Sequence, residues 1–148
     1  MFSKKIRELP KQLADFIHLA GHIADEKKIN VYVVGGFVRD LILGVDNFDV
    51  DLVVEGDGIG FATECSRKLN ARLITHKRFG TATLLGIHNF KVDVATARKE
   101  IYEKPGVLPT VFHGKIEDDL FRRDFTINAM AISVNEGRFG QIIDLYNG

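Results

Sequence analysis

The stretch that decides the fold is residues 31–56, VYVVGGFVRDLILGVDNFDVDLVVEG. It begins as a β-branched strand that ends in a glycine pair, continues as a short helix closed by a further glycine, and ends as a second strand. Asp49 and Asp51 stand one residue apart in that second strand. Because alternate side chains of a strand share a face, both carboxylates are predicted on one face, with Val50 and Leu52 toward the core.

The two carboxylates need a partner, because like charges on one strand face repel unless a cation lies between them or one is protonated. Magnesium is the usual partner, since it prefers carboxylate oxygens and leaves positions for phosphate oxygens. The alternative is a pair of solvent-exposed acids on an edge strand. A third acid, Asp93 in KVDVAT, is also flanked by apolar residues on a predicted strand. If adjacent strands bring the three acids together, they form a plausible two-metal site for phosphoryl transfer.

The glycine pair, Gly35 and Gly36, adds a phosphate-binding element to the same stretch. Without side chains the backbone can approach a phosphate closely, and the helix that follows offers free amides and a positive dipole end. Arg39 can donate paired hydrogen bonds to phosphate oxygens. Asp40 beside it is interpreted as a residue that orients the arginine. The glycine pair alone is a weak signal, and Arg39 and the Asp-x-Asp that follow make it stronger.

A second polar segment, RRDFTINAMA, spans residues 122–131. Its polar members are unsuited to a core: Arg122, Arg123, Asp124 and Asn128. The spacing of Arg123 and Asn128 suits the lining of a pocket, and Phe125 and Ile127 can anchor the segment. The alternative is a solvated basic start of a helix.

Length, composition and charge limit the class of protein and the partners that it can have. The 148 residues are 45% hydrophobic and 27% charged, as in an ordinary single globular domain. The formal net charge of zero gives no sign of nucleic acid or membrane, so an RNA partner would need to be held from elsewhere. No apolar run approaches the ~20 residues of a membrane span. The single cysteine, Cys65, excludes an internal disulfide, suits a reducing cytosol and is interpreted as a small buried apolar residue.

The other patterns predict an α+β fold with helices on one side of a sheet. Apolar spacing predicts helices over residues 11–28 and over GIGFATECSRKLN. Three strands, ARLITHKR, GTATLLGI and FKVDVATA, have the short turns of a meander, and AISV and QIIDLY are further strands. The prolines and glycines of RKEIYEKPGVLPTVFHG predict a mobile loop.

Three blocks then carry a resemblance: GGFVRDLILG…FDVDLVV, KVDVATARKEIYEKPGVLPTV and EDDLFRRDFTINAMA…IIDLYNG. In order and spacing they resemble the class II bacterial tRNA nucleotidyltransferase (CCA-adding) and poly(A) polymerase family of the polymerase-β-like superfamily. The resemblance implies a head domain over residues 30–148, with a mixed, largely antiparallel five-stranded sheet and helices on one side. Residues 1–29 are then an N-terminal helical extension. The family's neck, body and tail domains are absent from the sequence.

The family's activity is template-independent transfer of a nucleoside monophosphate from ATP and/or CTP to the 3′-hydroxyl of RNA, above all the 3′ CCA end of tRNA. The resemblance implies that Asp49 and Asp51 bind two magnesium ions and that Asp93 is the third catalytic acid. The nucleotide-binding positions that it implies are Gly35, Gly36, Arg39, Arg122, Arg123, Asp124 and Asn128. The loop at residues 97–110 resembles the flexible loop that family members use during adenine addition.

Two alternatives stay open. The protein could be a poly(A) polymerase acting on other RNA ends, because the head motifs do not separate CC-, A-, CCA-adding and poly(A) specificities. It could also be a catalytically silent nucleotide-binding module, although the Asp-x-Asp and the RRD arginines that such a module is expected to lose are present. The base-reading residues and most of the RNA grip would lie outside this chain. The expected location is the cytoplasm, with no membrane partner.

Overall fold

The computed structural model describes residues 3–87, 89–101, 106, 110–121 and 130–144. Its helices are α1 (Ser3–Arg7), α2 (Lys11–Lys27), α3 (Gly36–Leu43), α4 (Gly58–Leu69) and α5 (Ile116–Phe121). Its strands are β1 (Asn30–Val34), β2 (Asp49–Glu55), β3 (Arg72–His76), β4 (Thr81–Ile87), β5 (Phe90–Thr96), β6 (Arg98–Ile101), β7 (Thr110–His113), β8 (Met130–Ser133) and β9 (Ile142–Asp144).

Among the described strands, seven form one mixed sheet in the order β3-β4-β5-β2-β1-β8-β9. Strands β2 and β5 pair in parallel, and the neighbours on either side pair antiparallel. The predicted α+β class is confirmed. The predicted count of five strands is wrong, because β8 and β9 extend the sheet beyond β1. Strand β1 would otherwise present an unpaired hydrogen-bonding edge.

One face of the sheet is covered by α2, α3 and α4. The buried side chains there alternate along each strand, and they include Val31 and Val33 of β1 and Val50 and Leu52 of β2. Helix α4 adds Phe61 and Cys65, at the spacing of one helical face. The predicted core orientation of Val50 and Leu52 is confirmed, so the odd positions of β2 face the other way.

Helix α5 lies on the opposite face, in addition to the predicted helical layer. Its Ile116 and Leu120 are buried in a second apolar cluster with Tyr32, Val34 and Val53. The start of α5 is tied to the end of β2: the backbone N–H of Ile116 donates to Glu55 Oε2 at 2.6 Å. Glu55 Oε1 accepts from Asn30 Nδ2 at 2.8 Å. One carboxylate thus joins β1, β2 and α5.

The segment predicted as a mobile loop contains paired strands at both ends. Strands β6 and β7 form a two-stranded antiparallel sheet, in register from Arg98 opposite His113 to Ile101 opposite Thr110. The sequence TVFH of β7 is β-branched and aromatic, and this favours a strand in spite of the neighbouring prolines and glycines. Residues 102–105 and 107–109 lie outside the described residues.

Helix α2 packs into the main core. Eight of its residues are buried, and its Gly21 lies directly against the backbone that leaves β8. A Cβ at Gly21 would overlap the carbonyl oxygen of Val134, so only glycine allows this approach. No helix in the described part of the chain is long and apolar enough to cross a bilayer.

We expect Gly21→Ala to destabilise the fold. The added methyl group meets a backbone carbonyl that cannot rotate away, and overpacking of this kind costs about 2 kcal/mol of unfolding free energy. Gly137→Ala is the matched control, since a Cβ there meets nothing within 4 Å. Urea unfolding of the two variants measures the difference, and an equal midpoint for both would show that α2 is not seated this closely.

The buried thiol of Cys65 should make the stability of the fold depend on pH in the alkaline range. Burial raises the pKa of the Cys65 thiol to about 12, from an ordinary value of 9.0. Between these values the folded protein keeps the thiol proton and the unfolded chain loses it. The unfolding free energy should therefore fall with rising pH in this range, by up to about 1.4 kcal/mol per pH unit.

Comparison with Cys65→Ala isolates this contribution from other alkaline titrations, because the variant lacks the thiol and keeps the remaining groups. Chemical denaturation at pH 8 and pH 10 provides the measurement. Equal pH dependence in both proteins would contradict a buried, protonated thiol.

Candidate active site

The parallel register of β2 and β5 brings the predicted acids to one face of the sheet. Asp51 lies directly opposite Asp93, and Asp49 lies opposite Lys91. Paired strands run about 4.8 Å apart and alternate residues of one strand about 6.6 Å apart, so the four side chains start from the corners of a compact rectangle. Val92 and Val94, between and beyond them on β5, point into the helix-covered core. Asp49 is exposed and Asp51 half-buried, so the carboxylates are open to solvent on this face.

Asp93 is held on both sides. The Thr83 hydroxyl of β4 donates to Asp93 Oδ1 at 2.8 Å, and Lys91 Nζ lies 3.5 Å from Asp93 Oδ2. Sequence reasoning missed both partners. Their signal was the alternation of side chains along β4 and β5: Thr83 follows the buried Ala82 and so faces the other way, and Lys91 lies two residues before Asp93 on the same face.

A cavity of about 480 Å³ opens on this face. Asp51 and Asp93 line it together with His76, Thr81 and Thr83, three residues that the sequence argument had not connected with the acids. The volume lies within the range of small-molecule sites, roughly 300–1,000 Å³. The cavity is therefore large enough for part of a nucleotide beside the carboxylates.

The donor set suits magnesium that shares its coordination with a substrate. Within the described ranges, no three His, Cys, Asp or Glu side chains are grouped so that they could hold a metal ion by themselves. Magnesium is usually bound through one or two carboxylates, with phosphate oxygens and water completing the shell. Asp49 and Asp51, which are open to solvent on one strand, offer that kind of partial shell.

The glycine turn, formed by Gly35 and Gly36, lies at the end of the sheet that carries Asp51. Val34, the last residue of β1, pairs with Asp51, and the two glycines follow directly. Gly35 has φ of +70°, a conformation that favours glycine, and it turns the strand into α3. A Cβ at Gly36 would lie 3.3 Å from Arg39 Nη2. The start of α3 thus presents bare backbone, its free amides and an arginine beside the acids.

Arg39 and Asp40 form an ion pair, as the sequence argument anticipated. Arg39 Nε donates to Asp40 Oδ1 at 3.0 Å, and this bond holds the pKa of Asp40 below its ordinary value. Asn47, which the sequence argument missed, donates to Asp40 Oδ2 at 2.8 Å. The Asn47 side-chain oxygen in turn accepts from the backbone N–H of Asp49 at 2.8 Å. This chain of bonds connects the arginine of α3 to the first acid of β2.

The remaining predicted nucleotide-binding residues lie outside the described residues: Arg122, Arg123, Asp124 and Asn128. Their predicted roles stay predictions. The helix that precedes them in the sequence, α5, ends at Phe121 and packs on the sheet face that carries Asp51.

The chain is similar to known proteins over most of its length. Residues 31–148 match the profile of the poly(A) polymerase head domain family. The A-adding tRNA nucleotidyltransferase of Geobacter sulfurreducens is 46% identical over 140 residues, which are 95% of this chain and 16% of that protein.

The chain also superposes on solved structures of tRNA-processing enzymes. A CCA-adding enzyme in its apo form II superposes with a TM-score of 0.90 and 44% identity, covering 99% of this chain and 35% of that one. The Thermotoga maritima CCA-adding enzyme complexed with tRNA superposes with a TM-score of 0.84 and 42% identity, covering 99% of this chain and 32% of that one. The chain thus spans between 16% and 35% of these three proteins. With its profile match over residues 31–148, the chain belongs to the poly(A) polymerase head domain family.

Proposed function

We propose that this chain is the catalytic head of an RNA nucleotidyltransferase that adds nucleoside monophosphates from ATP, and/or CTP, to the 3′ end of tRNA. The observation that carries the proposal is the β2–β5 register, which sets Asp51 beside Asp93 next to the glycine turn. The A-adding relative and the tRNA-bound structural neighbour support the choice of substrate. Such a substrate would place the protein in the cytoplasm.

In this proposal Asp49 and Asp51 hold magnesium, as two ions when the nucleotide is bound. Magnesium held there would supply positive charge that lowers the pKa of the attacking 3′-hydroxyl and offsets the charge of the leaving pyrophosphate. Asp93 has two possible roles that the geometry allows equally: it accepts the hydroxyl proton, or it completes the acidic shell. Thr83 fixes the orientation of the Asp93 carboxylate in either case.

The triphosphate would lie at the start of α3. The bare backbone of Gly35 and Gly36 allows close approach, and the helix amides donate to phosphate oxygens. Arg39 donates to Asp40 through Nε at 3.0 Å and through Nη2 at 3.5 Å, and its remaining guanidinium N–H groups are directed to phosphate in this proposal. The other nucleotide contacts would come from Arg122, Arg123, Asp124 and Asn128.

The chain's balanced charge supports the proposal that catalysis and RNA binding belong to different domains. Tight RNA binding needs a surplus of basic side chains, and this chain has 20 basic and 20 acidic residues. Most of the tRNA grip would therefore come from regions beyond the head, and we propose the same for base selection, as the family resemblance implies. We also propose that residues 30–148 form the head and residues 1–29 an N-terminal helical extension.

The first test is Asp49→Asn or Asp51→Asn in the complete protein. Loss of either carboxylate should reduce AMP incorporation into tRNA that lacks its terminal nucleotide by roughly 10³-fold or more, because the metal charge that stabilises the transition state is lost. Circular dichroism should show an unchanged fold, since both side chains lie on the solvent-accessible face.

Asp46→Asn is the matched control, because Asp46 is exposed in the loop just before β2. It should retain near-normal activity. Full activity of the Asp51 variant would contradict the metal assignment. Activity on tRNA lacking C, CC or CCA would separate the possible specificities, and nucleotide binding without incorporation would indicate a silent module.

The second test addresses the arginine. Asp40→Asn removes the anion that orients Arg39, and a hydrogen bond between charged groups contributes about 1.5–3 kcal/mol. We expect the KM for ATP to rise about tenfold with a smaller change in kcat. Glu64→Gln is the control, since Glu64 forms a similar pair with Arg67 on α4, at the opposite face of the sheet. An unchanged KM in Asp40→Asn would show that Arg39 needs no such support.

A further inference from the structure

Asn47 lies between two parts of the candidate site, the arginine of α3 and the first acid of β2. It belongs to segment 44–48, which joins these two elements. Its chain neighbours Asp46 and Phe48 are exposed, whereas Asn47 is half-buried. A Cβ at Gly36 would lie 4.0 Å from Asn47 Nδ2. The side chain of Asn47 therefore reaches back to the glycine turn at the start of α3.

Both ends of the Asn47 amide form hydrogen bonds. Its Oδ1 accepts from the backbone N–H of Asp49 at 2.8 Å, which fixes the chain two residues ahead, at the start of β2. Its Nδ2 donates to Asp40 Oδ2 at 2.8 Å and so connects the segment to the middle of α3. One side chain thus ties the strand of the acids to the helix of the arginine.

Asp40 transmits this connection to Arg39. Its Oδ1 accepts from Arg39 Nε at 3.0 Å, while its Oδ2 accepts from Asn47. A carboxylate that accepts on both oxygens has a fixed plane, and a planar guanidinium paired with it is fixed in turn. The side chain of Asp40 is 16% exposed, which leaves little room for water to take the place of Asn47.

We propose that Asn47 is a positioning residue for nucleotide transfer: through Asp40 it sets the orientation of Arg39, and through the backbone of Asp49 it holds the first acid in place relative to that arginine. The proposal rests on the proposed function, because it takes Arg39 as a phosphate contact and Asp49 as a metal-binding acid. It requires no contact between Asn47 and the nucleotide. Reacting groups held by different elements need such a link, since small displacements between them cost large factors in rate.

The two hydrogen bonds can be broken separately in the complete protein. Asn47→Ala removes both. Asn47→Asp keeps an oxygen that accepts from the Asp49 N–H, but it sets a second carboxylate against that of Asp40, and like charges repel. Both variants should bind ATP with Mg²⁺ roughly tenfold more weakly than the parent, as measured by calorimetry without RNA. Amide hydrogen exchange at Asp49 should become faster in Asn47→Ala only.

The sharpest variant exchanges the two side chains by combining Asp40→Asn with Asn47→Asp. One carboxylate and one amide remain, with the donor now at position 40 and the acceptor at position 47, so the hydrogen bond between them can form again. The amide oxygen at position 40 can still accept from Arg39 Nε. We expect ATP affinity within about threefold of the parent, although each single substitution weakens it. Independent effects of the two substitutions would instead multiply.

Asp57→Ala is the matched control for the loss of a local side-chain bond. Asp57 Oδ1 accepts from the backbone N–H of Gly60 at 3.0 Å and caps the start of α4, which packs on the sheet face away from the acids. Loss of this cap should lower the urea midpoint and leave ATP affinity unchanged. The control thus separates loss of stability from loss of positioning.

The outcomes separate the two proposals. Weaker ATP binding in both single Asn47 variants, with recovery in the double variant, supports the role of Asn47. Parent-like ATP binding in Asn47→Ala, or no recovery in the double variant, overturns that role, and Asp51-dependent AMP incorporation by the parent then leaves the proposed function in place. If the parent shows no Asp51-dependent incorporation, the proposed function is overturned and the role of Asn47 with it.

Discussion

The parallel pairing of β2 with β5 is the interaction on which the site depends. Each strand alone carries acids between apolar residues, and neither has a site by itself. The pairing sets Asp51 beside Asp93 and puts Lys91 against Asp49. Parallel neighbours need a crossover connection, and here α4, β3 and β4 supply it. Because α4 packs on the face away from the acids, the crossover leaves the carboxylates open.

The two faces of the sheet therefore differ in role: one forms the apolar core, and the other carries the candidate site. The helix-covered face buries the apolar side chains that fix the strand register, which is where the hydrophobic stabilisation lies. The other face holds the acids, the cavity and α5, so its charged groups stay in contact with water and avoid the cost of burial. The glycine turn connects the core to the site. Strand β1 is a core strand, and its end beside Asp51 leads directly into the start of α3.

Local patterns in the sequence were sufficient for the local parts of this arrangement. Strand alternation placed Asp49 and Asp51 on one face, and helix end signals located α3 and its closing glycine. The missed features depend on partners distant in sequence. The pairing of β2 with β5 joins residues about 40 positions apart, and Thr83 gains significance only from it. Likewise, β8 and β9 could be recognised as strands, but their place beside β1 follows from the tertiary fold. The hairpin of β6 and β7 was obscured by two prolines and a glycine between its strands.

The central claim is that the face shared by β2 and β5 binds a divalent cation beside the glycine turn. Paramagnetic broadening of amide NMR signals on addition of substoichiometric Mn²⁺ tests it most directly, because the effect reports distance to the ion residue by residue. We expect the signals of Gly36, Asp51 and Asp93 to broaden first. Earlier broadening at another acidic group, such as Glu26 and Glu136 around His22, would contradict it.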